Sequence, residues 1–305
     1  MRRIAVQQEN TYVYRYTVPQ DRTGRVYDYL REVHNYSSRL ISMIIRDGEL
    51  RLNGEPVKFK TDCFGSDVIE VILPAEFPDA ESSDISLSVI YEDDDIIVLD
   101  KQPGVVVHPT KSHQKDTLAN AVYRHWEKTG HTGKIRFVTR IDMDTSGIVI
   151  GAKNKYVHHS VQSTFSQLSS KIYYAIVRGC PESPQGTVSE PVGREEYMSL
   201  KRTVRDDAKP SVTEYSVAEK FRGYSLLRLR LLTGRTHQIR VHMSHIGCPV
   251  ISDALYNPEP NEFIGRQALH SAELSLIHPR TKELLTFAAP LPADFSFALE
   301  TLRKL

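Results

Sequence analysis

Cysteine is scarce in this 305-residue chain: Cys63, Cys180 and Cys248 lie far apart, and no Cys-x-x-Cys pair occurs. That excludes a disulfide framework and a zinc knuckle, and makes a reducing cytoplasm the expected location. No apolar run approaches the roughly 18 residues that a membrane span needs. The N-terminus turns polar at Gln7-Gln8-Glu9-Asn10 before a signal-peptide core forms, so no membrane role is expected. Gly-x-Gly-x-x-Gly, the phosphate-loop Gly-Lys-Ser/Thr and Gly-x-Ser-x-Gly are all missing. Dinucleotide enzymes, P-loop NTPases and serine hydrolases lose support, and no cofactor is expected. A surplus of one charge is missing too, since 39 Lys plus Arg face 38 Asp plus Glu, a net charge of +1. With 40% hydrophobic and 25% charged residues, disordered and collagen-like classes are excluded. The length suits two domains.

The near-balance of charge hides an uneven distribution. Residues 76–95 hold eight acids and no Lys or Arg; removing those eight from the 38 leaves 30 acids against 39 basic side chains. Pro74, Pro78, Ser82 and Ser83 accompany the acids, so residues 76–84 read as an exposed acidic linker between a domain at 1–75 and another at 85–305. Before the linker, residues 22–60 carry eight basic and five acidic side chains. Val26, Leu30 and Val33 have helical spacing, as do Leu40, Met43 and Ile44, with Asp47-Gly48 as a stop. Leu50, Leu52 and Asn53-Gly54 then predict a hairpin.

After the linker short strands dominate. The pattern predicts strands over 85–91, 96–99 and 105–107 as an antiparallel meander, and a helix over 117–128 with Asp116 as N-cap and Gly130 beyond its end. Further strands are expected over 137–141, 148–152, 172–177, 212–218, 226–232, 269–277 and 283–287, with helices over 156–168 and 236–245. The fold class is therefore α+β, on a mixed, largely antiparallel sheet.

Three segments can carry chemistry. Arg140-Ile141-Asp142-Met143-Asp144-Thr145-Ser146-Gly147 presents a carboxylate on a sharp turn beside a guanidinium, although such turns also arise for local reasons. An Asp142/Asp144 pair of the glycosidase kind is a weak reading, because residues two apart on a turn seldom reach the required separation of roughly 5 to 9 Å. Lys220–His245 holds six Lys or Arg, three His and no acid. It reads either as an amphipathic helix with Ile239, Met243 and Ile246 inward and a solvated basic face, or as a helix N-terminus meeting phosphate. A metal site from His237, His242 and His245 is disfavoured by the absence of an accompanying carboxylate or Cys, so none is expected. In Lys171-Ile172-Tyr173-Tyr174 the tyrosines point to opposite faces of a strand, one into the core and one available to a ligand.

In this order the three segments resemble the RluA family of RNA pseudouridine synthases. The signature His-Arg-Leu-Asp-x-x-Thr-Ser-Gly corresponds to residues 139–147, Lys-x-Tyr to Lys171-Ile172-Tyr173, and Thr-Gly-Arg-x-His-Gln-Leu/Ile-Arg-x-His to Thr233 through His242. Thr139 stands where most members have His, and Ile141 where they have Leu. Residues 22–75 resemble the alpha-L RNA-binding domain first described in ribosomal small-subunit protein four, through Ser38-Arg39 to Ile45, Gly48 and Leu52-Asn53-Gly54, with Val26-Tyr27-Asp28 in place of the usual Arg-Leu-Asp.

The resemblance implies an isomerase that breaks the bond from ribose C1′ to uracil N1 and joins C5 to the same carbon, without redox change or external energy. It makes Asp142 the essential carboxylate, as nucleophile or base, with Arg240 as its charge partner and Tyr173 stacked on the uracil. Arg140 would fill the space a flipped uridine vacates, Arg235 and His237 would hold phosphates, and Arg39 would contact RNA in the N-terminal domain. The expected partner is RNA, ribosomal from the large subunit by analogy, with transfer RNA or a catalytically silent RNA-binding protein as alternatives. A monomer is expected, and binding should weaken with salt.

Overall fold

A computed structural model describes residues 11–168, 170–259 and 263–305; the first ten residues of the expected 1–75 unit lie outside this set. The N-terminal unit is a four-stranded sheet with two helices. Helix α1 (Val26–Glu32) buries Val26, Tyr29 and Leu30, but Val33 of the expected spacing falls just past its end and is exposed; α2 (Ser38–Asp47) buries Leu40, Ile41, Met43 and Ile44, as the spacing predicts. Ser37 caps α2 by accepting from the Leu40 N–H. The hairpin turns at Asn53-Gly54, both at positive φ, where Gly is at ease and Asn the best-tolerated alternative. Two strands the sequence did not reveal, Val13–Thr17 and Val68–Ile72, complete the sheet.

The second unit is built on a ten-stranded sheet. Its main path runs Gln185–Val188, Thr213–Phe221, Tyr224–Leu231, Ser170–Arg178, Leu269–Ile277, Ser146–Ala152, Ile96–Lys101, Ser88–Glu92. All pairs are antiparallel except Ser146–Ala152 against Leu269–Ile277, which run parallel through Ser146↔His270 and Gly147↔Ser271. Gly147, at φ +106, is the closest point of that pairing, and a Cβ there would collide with the Ser271 carbonyl. Helix α3 (Leu118–Thr129) covers one face through Leu118, Val122 and Trp126. Helix α4 (Lys155–Leu168) lies near the N-terminal unit, α5 (Gln238–His245) carries the basic segment, and α6 (Ala293–Leu302), which the sequence did not reveal, closes the second core. No helix among the described residues is long and apolar enough to cross a membrane.

Several expectations are corrected. The N-cap of α3 is Thr117, in a reciprocal box with Asn120, while Asp116 pairs with His113 instead. Residues 105–107 are not a strand: the turn at Gly104 leaves Val106 only an isolated bridge to Thr117. The strand expected over 137–141 shrinks to Arg136–Phe137, because the chain leaves the sheet to form the Asp142 turn. There the Thr139 hydroxyl accepts from the Ile150 N–H, so this departure from the family pattern caps a strand edge.

The acidic linker is not free in solvent either. Glu76 pairs with Arg136 at 2.6 Å, Asp79 with Lys134, Glu81 with Lys115 at 2.7 Å and Asp84 with Arg124 at 2.7 Å, so the segment lies as a strap along the α3 side. The two units also share one hydrophobic core. Tyr14 and Tyr36 pack on Tyr156 with ring centroids 4.5 and 4.7 Å apart. The buried Asp95 accepts from the Tyr14 hydroxyl at 2.7 Å and from both Nε and Nη2 of Arg280.

Candidate active site

The Asp142 turn is held by side chains from distant parts of the chain. Lys101, fully buried, donates from Nζ to the carbonyls of Met143 (2.7 Å), Gln102 (2.9 Å) and Val105 (2.9 Å), which uses all three ammonium donors. Arg266 donates to the Asp144 carbonyl at 2.9 Å, and Gln267 to Thr145 Oγ1 at 2.7 Å. Ser146 Oγ and His270 Nδ1 lie 3.0 Å apart. A turn fixed at every step presents the Asp142 carboxylate in one place.

Helix α5 brings the guanidinium to it. Its first residue, Gln238, is buried and ties down the preceding loop: its Oε1 accepts from Thr233 Oγ1 and the Arg235 N–H, and its Nε2 donates to the Val212 carbonyl and Thr213 Oγ1. Two residues on, Arg240 Nη1 donates to Asp142 Oδ2 at 2.8 Å. Its Nε and Nη2 donate to Oδ2 and Oδ1 of Asp253 at 2.6 and 2.8 Å. Asp253 has no solvent exposure, and the Arg240 residue is only 5% exposed. One buried guanidinium therefore bridges two carboxylates, one structural and one facing the cleft. The solvated basic face considered for this helix is not observed, because the inward packing of Ile239 and Met243 is joined by buried Arg240 and His242. Both His242 nitrogens are occupied, by Thr213 Oγ1 and the Glu190 carbonyl.

His237 precedes α5 in the left-handed region at φ 59. The Tyr256 hydroxyl accepts from the Arg202 N–H at 2.8 Å and lies 2.9 Å from His237 Nδ1. His237 Nε2 faces Asp142 Oδ2 at 3.8 Å. Burial lowers the His237 pKa, with the Asp142 charge opposing. Tyr173 reaches the same cleft from its strand, where a register shift between Ile172 and Tyr173 re-aims the side chain. Burial pushes its pKa up to about 12, against a hydrogen bond with Ser271 that lowers it.

Asp142, Tyr173, His237 and Arg240 thus share a cleft of about 780 Å3. Arg140 and Arg235 stand exposed on its rim, and Lys171 also lines it, so four cations face the one carboxylate of its lining. Arg39 is not part of this cleft; it lies exposed on α2.

The sequence profile of the RNA pseudouridylate synthase family matches residues 95–245, which span the Asp142 turn and α5. Over 291 residues the chain is 37% identical to the Uncharacterized RNA pseudouridine synthase YlyB of Bacillus subtilis, covering 93% of this chain and 96% of the other. The chain belongs to the RNA pseudouridine synthase family. A ribosomal large subunit pseudouridine synthase D of Pseudomonas aeruginosa is 38% identical over 278 residues, covering 85% of this chain and 86% of its own. Human RNA pseudouridylate synthase domain containing 1 has the same fold, with TM-score 0.54 and 26% identity over 72% of this chain and 96% of that one. Human RNA pseudouridylate synthase domain containing 4 gives TM-score 0.59 at 24% identity, covering 71% and 93%.

The synthase's motifs account for the residues that face the cleft, but not for those that hold them. Lys101, Asp253, Tyr256, Arg266 and His270 went unnoticed. Of these only Asp253, which follows α5 closely in sequence, has any signal: an isolated acid soon after a long acid-free basic segment.

Proposed function

We propose that this pseudouridine synthase modifies uridines in large-subunit ribosomal RNA, with Asp142 as its essential carboxylate and residues 1–75 as an RNA-binding domain joined by the 76–84 strap to a catalytic domain over 85–305. The single observation that carries the site assignment is the 2.8 Å contact of Asp142 with Arg240 in a cleft lined by four cations and one acid. That charge balance suits a polyanion, and a carboxylate held by a buried guanidinium suits attack on, or proton removal from, the ribose. The isomerisation breaks C1′–N1 and forms C1′–C5; C5 gives up a proton and N1 gains one. With its pKa near 12, Tyr173 is a neutral phenol at pH 7, suited to stacking on the uracil and to relaying that proton. Arg140 on the rim fills the stack as the uridine flips, and Arg235 with His237 contacts the backbone.

The target is supported by the relatives: synthases of Pseudomonas aeruginosa and Haemophilus ducreyi, 38% and 36% identical to this chain, are named for the ribosomal large subunit. For the N-terminal unit the support is its surface, where Arg25, Arg39, Lys58 and Lys60 are exposed and have no carboxylate partner among the described residues. In this reading the working unit is a monomer that needs no cofactor. The test incubates the protein with large-subunit and transfer RNA transcripts separately and maps pseudouridine. Product in the large-subunit RNA is expected with the native protein, and none with Asp142→Asn although RNA binding persists. Product in transfer RNA alone would overturn the target, and an active Asp142→Asn would overturn the role of the carboxylate.

A further inference from the structure

A second pocket, of about 350 Å3, opens beside the catalytic cleft and shares the side chains of His108 and Phe137 with it. We propose that this pocket receives the unstacked base of a nucleotide flanking the target uridine, on the part of the RNA strand that runs from the cleft towards α2. The inference rests on the substrate being a flipped uridine within RNA and adds a second base-recognition site to it.

The lining selects for a base over a phosphate. Its two cations are already neutralised, Lys134 by Asp79 and Arg136 by Glu76 at 2.6 Å, so little attraction remains for another anion. Its two imidazoles, His108 and His158, are half-buried, and burial lowers the pKa of both; the His158 ring already donates to the Phe137 backbone, which leaves its other nitrogen as an acceptor, while a neutral His108 offers one donor and one acceptor. The remaining walls are apolar: Phe137, Ile135, Ala119 and Pro109. Phe137 stands edge-on to His108, with centroids 5.1 Å apart at 80°. A neutral, flat ring with donors and acceptors on its edge matches this mixture, and single-stranded RNA is commonly read through splayed bases stacked on aromatic side chains.

The position of the pocket sets which flank it serves. His158 lies on α4, three residues after Lys155, whose ammonium reaches both Glu76 and the sulfur of Met43. Met43 is one turn along α2 from Arg39. A strand leaving the cleft past His108 therefore crosses this pocket before it reaches Arg39 on the N-terminal unit.

The experiment uses the full chain and an RNA oligonucleotide containing one modified site, together with a set in which a single abasic nucleotide replaces each neighbour of the target in turn. Pseudouridine formation is followed with native protein, Ala119→Leu, which fills the pocket, and His158→Ala, which removes its polar wall; thermal unfolding is measured for each. One abasic position is expected to lower kcat/KM of the native protein about tenfold, the scale of a lost base–aromatic contact. Ala119→Leu is expected to lower kcat/KM by a similar factor on intact RNA and to add nothing on the abasic RNA, since both changes remove the same contact. If Ala119→Leu unfolds, His158→Ala carries the same comparison. No loss at any abasic position, or equal losses by the variant on intact and abasic RNA, would overturn the subsite. Failure of the native protein to form pseudouridine in any RNA would instead remove the premise and be visible before any variant is compared.

Discussion

Removing the carboxylate of Asp253 should cripple the synthase without touching its substrate. Asp253 is wholly buried and accepts two short bonds from Arg240, and its Oδ1 also accepts from the Leu255 N–H at 3.0 Å. Asp253→Ala strands a buried guanidinium, a change that costs about 3–5 kcal/mol of folding stability. Asp253→Asn is the sharper probe, because it keeps the shape but turns one acceptor into a donor that opposes an Arg240 N–H. One charge-assisted bond worth about 1.5–3 kcal/mol is lost, and the other is weakened, because the guanidinium then meets a neutral amide oxygen in place of a carboxylate. The guanidinium is then free to rotate about its remaining contact with Asp142. If Arg240 leaves Asp142, a charged hydrogen bond disappears from the transition state, and about 1.5–3 kcal/mol corresponds to a roughly tenfold to hundredfold fall in rate. Urea unfolding measures the first effect, and single-turnover pseudouridine formation with saturating RNA the second. The loss should lie in kcat, since Asp253 contacts no solvent and hence no ligand. A variant with an unchanged single-turnover rate and a stability within about 0.5 kcal/mol of native, the range of a neutral surface change, would refute the claim that Asp253 aims Arg240.

Tyr256→Phe removes the hydroxyl 2.9 Å from His237 Nδ1, so the nitrogen chemical shifts of the His237 ring should change; an unaltered spectrum would dissociate Tyr256 from His237. Acid should destabilise the fold through His34 and His131, whose pKa values fall from 6.5 to about 4, chiefly by burial. Between those values the unfolded chain binds protons that the folded chain does not, so stability is lost as pH drops through that window, and His34→Phe should flatten the loss in urea midpoints. Gly147→Ala should lower the thermal midpoint and the activity together, because the added methyl forces the Ser146 strand away from Ser271 beside the Asp142 turn.

What was legible in the sequence was what local physics decides. The apolar spacing in α1 and α2, the Asn53-Gly54 turn and the Gly130 helix stop each need only neighbours a few residues away. The cleft-facing residues were legible because their motifs are contiguous. What remained hidden depends on partners far along the chain: Lys101 lies just past the strand expected over 96–99 and gains its role only when the Met143 carbonyl, 42 positions away, arrives at its ammonium. Asp116 and Thr117 are both good caps, and the buried Asn120 decides for Thr117 by closing the reciprocal bond. The three valines 105–107 have the composition of a strand, yet the Gly104 turn delivers their backbone to Thr117 rather than to a sheet neighbour.

The charge distribution has a directional consequence. The acids of the strap are spent on Lys115, Arg124, Lys134 and Arg136, so the flank along α3 offers an approaching RNA paired ions and little net attraction. Arg140, on the cleft rim, has no carboxylate partner among the described residues, and neither has Arg235, whose guanidinium only bonds to the Pro210 carbonyl. A chain of net charge +1 can thereby present a positive cleft beside a neutral flank, and a polyanion is steered by the local field rather than by the total. Phosphates are drawn to the first region, beside the target uridine, and the neutral flank suits the flanking base proposed for the adjoining pocket.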